Sequence, residues 1–212
     1  MYNILLTGVG GQGTVLAAKL LAQTADAHGW QVRTAETIGM AQRGGSVISH
    51  IRIGSLNEPV HEPLIGAREA NLIIAFEPAE AVRVLPYLAC DGAVVTASSA
   101  VQPVTAALSD NPYQAADVLE YLKTTQTRLI AVDDEALCHE LGSRKVLNTI
   151  LLASALSAMA QQQQKQQGAE SVEIGVEDLK DAIRALVKPQ FVDLNLRAID
   201  LVTHVQNDEQ TQ

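Results

Sequence analysis

The residues best equipped for chemistry gather in the first quarter of the chain. Gly8-Val9-Gly10-Gly11-Gln12-Gly13 stands between an apolar run and an Ala/Leu-rich helical pattern. That context separates a phosphate-binding turn from a chance run of glycines. On this reading Gly8 permits the tight turn, Gly10 lets a ligand approach the backbone, and Gly13 lets the helix pack close to the strand. Free N–H groups at the helix start, with the positive end of its dipole, then favour an anion. The plainer reading is a tight, well-packed turn without a ligand, and spacing alone does not separate the two. Glu36 ends an expected strand 23 residues beyond Gly13. A ribose-binding acid occupies such a position in dinucleotide folds, so an autonomous NAD-binding enzyme competes as a reading.

The next segment, Glu36 to Ser46, carries Gly39, Met40, Gln42, Arg43, Gly44 and Gly45 without apolar periodicity. Arg43 beside Gly44-Gly45 offers a planar guanidinium next to open backbone, a fork for a carboxylate or phosphate. A surface or interface loop, with Arg43 on a neighbouring carboxylate, suits the same residues equally. His50 titrates near neutrality in principle, but a hydrogen-bonded structural histidine is the favoured reading. Glu77 and Glu80 open a helix just past a strand's carboxyl end, where open sheets bind ligands. Glu80 is read as ordinary helix-start charge, and Glu77 is kept as a candidate ligand contact. Asp133 and Asp134 read as helix caps. Asn148 lies in an otherwise apolar helix, so its amide needs a partner. No residue is assigned a catalytic role.

Cys90 and Cys138 are the only cysteines and lie 48 residues apart. An iron–sulfur cluster usually takes about four thiolates, and structural zinc about four closely spaced ligands, so no metal ligands are expected here. Both thiols read as inert small hydrophobes, and such sparse cysteine suits a reducing cytosol.

The elements that must position these residues follow from patterning. With 212 residues, 47% of them apolar, the chain can bury one sizeable core. Its net charge of −9 disfavours nucleic acid and acidic membrane surfaces as partners. The N-terminus lacks the basic start of a signal peptide, and no run approaches the ~20 apolar residues of a spanning helix, so a cytoplasmic protein is expected. Strands are expected at Tyr2–Thr7, Trp30–Ala35, Ser46–Ile53, Asn71–Phe76, Ala93–Ala97 and Arg128–Val132. Helices are expected at Gln12–His28, Pro78–Leu88, Tyr113–Lys123, Ser143–Ala160, Val176–Val187 and Pro189–Val205. The glutamine-rich Gln161–Gln167 reads as a solvated helix end or loop, and the tail from Gln206 to Gln212 as flexible. Alternation of strands and helices predicts an α/β class with a mostly parallel sheet covered on both faces, followed by a helical part from about residue 143.

Three stretches together resemble the gamma-type domain of 2-oxoacid:ferredoxin oxidoreductases. They are Gly8-x-Gly10-Gly11-Gln12-Gly13, Gly39-Met40-x-Gln42-Arg43-Gly44-Gly45-Ser46-Val47, and Ser49-His50-Ile51-Arg52-Ile53-Gly54. The likeness continues through Ala75-Phe76-Glu77-Pro78-x-Glu80-Ala81, Leu85-Pro86-Tyr87-Leu88, Asn148-Thr149-Ile150-Leu151-Leu152 and Asn195-Leu196-x-Ala198. The Gly-Met-x-Gln-Arg-Gly-Gly form is similar to the indolepyruvate type, although Ile38 stands where that family often has a histidine. The resemblance implies a doubly wound, Rossmann-like single domain over residues 1–205. It implies a larger partner subunit carrying thiamine diphosphate and iron–sulfur clusters, CoA as co-substrate, and electrons leaving to ferredoxin. In that role the glycine turn, the Arg43 loop and Glu77 would contact substrate or CoA. A purely structural interaction subunit is the remaining alternative.

Overall fold

The computed structural model describes residues 1–39, 45–54, 58–101, 114–125, 127–165 and 174–211. Its sheet contains β1 (Tyr2–Val9), β2 (Gln31–Ile38), β3 (Ser46–Gly54), β4 (Ala70–Ala75), β5 (Leu88–Ala97) and β6 (Arg128–Val132), in the order β2-β3-β1-β4-β5-β6. The helices are α1 (Thr14–Ala27), α2 (Pro78–Val84), α3 (Ala115–Thr124), α4 (Asp134–Glu140), α5 (Leu147–Lys165), α6 (Val176–Leu186) and α7 (Pro189–Thr211).

Neighbouring strands from β1 through β4 and β5 to β6 pair in parallel, whereas β3 pairs antiparallel with both β1 and β2. Among the described residues β3 is thus the one strand running against the others. Chain length explains it. Only residues 39–45 join β2 to β3, and a parallel crossover needs about a dozen or more.

The period-2 pattern of the strands divides two cores. Ile4 and Leu6, Leu72 and Ile74, and Val95 face one side, where they meet α1, α5, α6 and α7. Leu5, Ile73, Ala75 and Val94 face the other, against Ala81 and Val84 of α2 and Leu122 of α3. Helices therefore cover both faces, as a doubly wound α/β fold requires. α5 is buried nearly all round at Ile150, Leu151, Leu152, Ala153, Ala155 and Leu156, and Thr149 donates to Asn195 Oδ1 at 2.5 Å to tie it to α7.

Several boundaries differ from the sequence expectation. α2 stops at Val84, a 3-10 turn spans Leu85–Tyr87, and Leu88 already belongs to β5. Pro86 explains the break, because it lacks the N–H an α-helix needs and crowds the preceding turn. Cys90 is exposed in β5 rather than a buried hydrophobe, with Arg68 Nη2 donating to its sulfur at 3.5 Å. Cys138 is buried in α4 as expected, and burial, with Asp134 nearby, pushes its thiol pKa up. α5 continues through the glutamines to Lys165, and α7 extends to Thr211, into the expected tail.

Candidate functional site

The strand ends at Val9 (β1), Ala75 (β4), Ala97 (β5) and Val132 (β6) share one edge of the sheet. From this edge α1 leaves to one face and α2 to the other. The gap between β1 and β4 is therefore a topological switch point, where open sheets hold ligands. The glycine turn lies in that gap.

Gln12 fastens the turn. Val9 N donates to its Oε1 at 2.6 Å, and its Nε2 donates to Phe76 O at 3.0 Å. Its side chain is thus spent bridging the ends of β1 and β4, and the helix begins two residues later at Thr14. The glycines divide their work differently from the sequence reading. Gly8 is the close-packing position: a Cβ there would lie 2.8 Å from Phe76 Cβ and 2.7 Å from Gln12 Oε1. Gly13 is the N-cap of α1, held left-handed at φ 89°, and Gly11 has φ 104° with open space around it. Gly10 N donates to Gly45 O at 2.9 Å, so its N–H is committed within the protein.

That last bond joins the two glycine motifs, since Gly39 N also donates to Ser46 O at 2.9 Å. The base of the Gly39–Gly45 segment is thereby pinned against the turn. Met40, Gln42, Arg43 and Gly44 lie outside the described residues.

An N-cap glycine supplies no side-chain cap, and the first turn of α1 has no acid. The N–H groups that no helical carbonyl can reach are left for another acceptor. Gly11, Gln12, Gly13 and Leu16 line a cavity of about 590 Å³ whose other wall includes Ser143, Arg144, Lys145 and Asn148. A second cavity, of about 490 Å³, takes the first-turn residues Thr14, Val15 and Leu16 together with Lys19. A smaller one of about 210 Å³ runs from Lys145 and Asn148 to Phe191 and Leu194. Among the described residues no carboxylate lines any of the three. In a chain of net charge −9, that is a local reversal of sign, suited to an anionic ligand.

Asn148 is 5% exposed, its Oδ1 has no partner among the described residues, and its Nδ2 lies 3.7 Å from where a Gly13 Cβ would be. Sequence reading flagged it as needing a partner but missed Arg144 and Lys145. The available signal was a basic pair just ahead of a helix carrying a buried asparagine. Asp134 was misread as a cap. Asp133 does the capping, accepting from Ala136 N at 3.0 Å. Asp134 is fully buried and instead accepts from Ser98 N at 3.1 Å, Ser99 N at 2.9 Å and Arg144 Nη2 at 3.1 Å.

Glu77 sits on the other side of the switch point as the N-cap of α2, accepting from Glu80 N at 3.1 Å. Glu80 accepts from Ser46 Oγ at 2.5 Å and pairs with Arg83 at 3.1 Å. Glu77 Oε1 is buried without a partner among the described residues, and burial pushes its pKa up to about 7. Because the folded pKa lies above the unfolded one, folded chain binds the extra proton, and its stability falls as pH rises from about 5 towards 8. Glu77→Gln keeps the cap acceptor and removes the titration. It should flatten that decline, worth about 2 kcal/mol across the window, as read from urea unfolding at each pH.

His50 is 5% exposed, accepts from Ile65 N through Nδ1 at 3.2 Å and meets Tyr87 edge-on at 5.9 Å. Burial lowers its pKa, so it is a neutral structural histidine. Glu36 is exposed on β2, and β3 intervenes between it and β1. Two strand spacings, roughly 10 Å, separate β2 from the strand carrying the turn, whereas a ribose-binding acid belongs on the adjacent strand. Among the described residues no group of three or more metal-binding side chains comes together, and no helix is long and apolar enough to cross a membrane.

Comparison with known proteins agrees with this architecture. Residues 3–204 match the family model described as pyruvate ferredoxin/flavodoxin oxidoreductase. The chain is 35% identical over 202 residues to the indolepyruvate oxidoreductase subunit IorB of Thermococcus kodakarensis, covering 94% of this chain and 93% of that one. It is 24% identical to the common gamma subunit of the pyruvate/ketoisovalerate oxidoreductases of Pyrococcus furiosus, covering 93% of each. The fold matches a keto/oxoacid ferredoxin oxidoreductase gamma subunit from Geobacter sulfurreducens with a TM-score of 0.65 at 19% identity, covering 95% of this chain and 96% of that one. It also matches 31% of the length of a 2-oxoglutarate:ferredoxin oxidoreductase from Magnetococcus marinus, covering 98% of this chain with a TM-score of 0.63 at 16% identity. With a sequence match that runs almost from end to end, this chain belongs to the pyruvate ferredoxin/flavodoxin oxidoreductase family.

Proposed function

We propose that this chain is the small subunit of an indolepyruvate-type 2-oxoacid:ferredoxin oxidoreductase and works in the cytoplasm. A larger subunit supplies thiamine diphosphate and iron–sulfur clusters, and the complex oxidises an aryl 2-oxoacid to its CoA thioester while reducing ferredoxin. The observation that carries this reading is the full-length relation to IorB chains. The cysteine count supports it. Two thiols, one exposed in β5 and one buried in α4, do not fit a cluster that takes about four. The position of Glu36 two strands from β1 weighs against an autonomous NAD enzyme.

In this role the chain orients and encloses. The glycine turn and the walls around it hold the anionic part of the substrate or CoA, while the partner's cofactor supplies the bond-breaking chemistry. Arg43 belongs to the same proposal. Arg43→Ala is expected to lower 2-oxoacid turnover of the reconstituted complex by about tenfold or more, the loss of one charge-assisted fork, while this chain keeps its melting temperature. Unchanged turnover removes Arg43 from the site. Purifying the native protein tests the subunit assignment: a larger, brown, thiamine-containing polypeptide should accompany it, and its absence under gentle conditions counts against the assignment.

A further inference from the structure

Glu80 is more than a helix-start acid. That role needs only a carboxylate near the first turn of α2, and Glu77 already caps the helix. Glu80 is instead buried, at 7% exposure. A carboxylate is rarely buried so far unless it is paired, and here both oxygens are taken. Oε2 accepts from Ser46 Oγ at 2.5 Å, and Oε1 meets Arg83 Nε at 3.1 Å. Arg83 is largely exposed and belongs to the same helix, so that pair joins α2 to nothing else. The Ser46 bond reaches another element. Ser46 is the first residue of β3 and the last rung of its ladder with β1, opposite Val9. One residue outward, Gly45 O accepts from Gly10 N, and Ser46 O itself accepts from Gly39 N, each at 2.9 Å. A continuous line of contacts therefore runs from α2 through Glu80, Ser46 and Gly45 to Gly10 in the glycine turn.

The turn needs such a brace because little else fixes its shape. Gly10, Gly11 and Gly13 have no side chains, and glycine backbone keeps more freedom than any other. Gly11 and Gly13 sit at φ 104° and 89°, and neither position is crowded. Gln12 anchors one side of the turn through Val9 N and Phe76 O, and the Gly10–Gly45 bond anchors the other. That second anchor lies just past the end of a ladder, where backbone bonds open most readily. We propose that Glu80 is a positioning residue for the glycine turn: by accepting from Ser46 it holds the last rung of β3 in place, and through Gly45 it fixes the Gly10 peptide. Glu80 acts at a distance and touches no ligand itself. A turn that spends only part of its time in the binding shape binds more weakly by that fraction. This kinetic consequence rests on the glycine turn being the ligand-holding element of the complex, whereas the brace itself does not.

Amide hydrogen exchange of the full chain, read residue by residue by NMR, tests the brace directly. In Glu80→Ala and in Ser46→Ala the Gly10 N–H should exchange about tenfold faster than in the wild type. The Val9 N–H, held by Gln12, should stay within about twofold. Glu80→Gln keeps an acceptor for Ser46 and should restore Gly10 protection, although it loses the Arg83 pair. Combining Glu80→Ala with Ser46→Ala should add nothing to either alone, because both remove the same bond. In the reconstituted complex, Glu80→Ala should raise KM about fivefold for whichever of CoA and indolepyruvate the turn holds, with kcat within about twofold. Unchanged Gly10 exchange in both alanine variants overturns the proposal. So does equal acceleration at Val9 and Gly10, which marks a general loosening, and so does a Glu80→Gln chain that exchanges as fast as Glu80→Ala. Faster Gly10 exchange with KM unchanged for both substrates would uphold the brace and overturn the ligand reading of the turn. A wild-type complex without turnover would remove the subunit assignment, and the exchange rates would still decide the role of Glu80.

Discussion

Asp134→Ala is expected to lower the stability of the chain by about 3–5 kcal/mol. Asp134 is fully buried, and its carboxylate accepts from Ser98 N, Ser99 N, Ser99 Oγ and Arg144 Nη2. These partners come from the chain leaving β5 and the segment leading into α5, so one side chain fastens three pieces of the sheet's carboxyl edge. Truncation leaves backbone donors without an acceptor, which is costly in a desolvated setting, whereas the exposed Arg144 keeps Glu135 Oε1 at 3.8 Å. Asp134→Asn keeps acceptors for the serine N–H groups but loses the ion pair, so its cost should be about half. Urea unfolding reads this as a lower midpoint at unchanged slope. A loss under about 1 kcal/mol for the alanine variant would mean that the edge is held by other contacts.

Gly8→Val should cost at least about 3 kcal/mol, through crowding and not through backbone strain. The first carbon alone would stand 2.8 Å from Phe76 Cβ and 3.1 Å from Thr14 Cγ2, and two further methyl groups have nowhere to go. Relief requires β1 and β4 to separate, which breaks the Gln12 bridge between Val9 N and Phe76 O. Gly11→Ala makes the informative contrast. Its Cβ meets open space but its φ is 104°, so the cost should stay near 1 kcal/mol and arise from backbone conformation. Thermal unfolding of both variants separates the two causes. Equal losses would contradict the packing role assigned to Gly8.

Much of this was readable locally. Leu5, Leu6, Ile73 and Ile74 stand in unbroken apolar runs that mark buried strands, and only the fold shows which of them meet which helices. The glycine turn was legible because it stands between an apolar strand and an apolar helix. What could not be read were relations between distant residues. Nothing in the local pattern of Asp134 says that Arg144 will reach it, so a buried anchor passed for a cap. β3's insertion between β2 and β1 also escaped notice, although the short link at residues 39–45 already required an antiparallel neighbour. That insertion decides the fate of Glu36, which a simple strand–helix alternation would have set next to the turn. Cys90 was misjudged because the strand it occupies begins earlier than its apolar core does. Asn148 was noticed as an anomaly, and its place beside Gly13 appeared only in the fold.

The central claim is that this chain shapes and binds while another polypeptide carries the electrons. Steady-state reduction of ferredoxin by indolepyruvate and CoA, measured with this chain alone, the larger subunit alone and the two combined, addresses it most directly. Full turnover should require both polypeptides, and this chain alone should give none. Oxidation of the aryl 2-oxoacid by the purified chain without a partner would contradict the account.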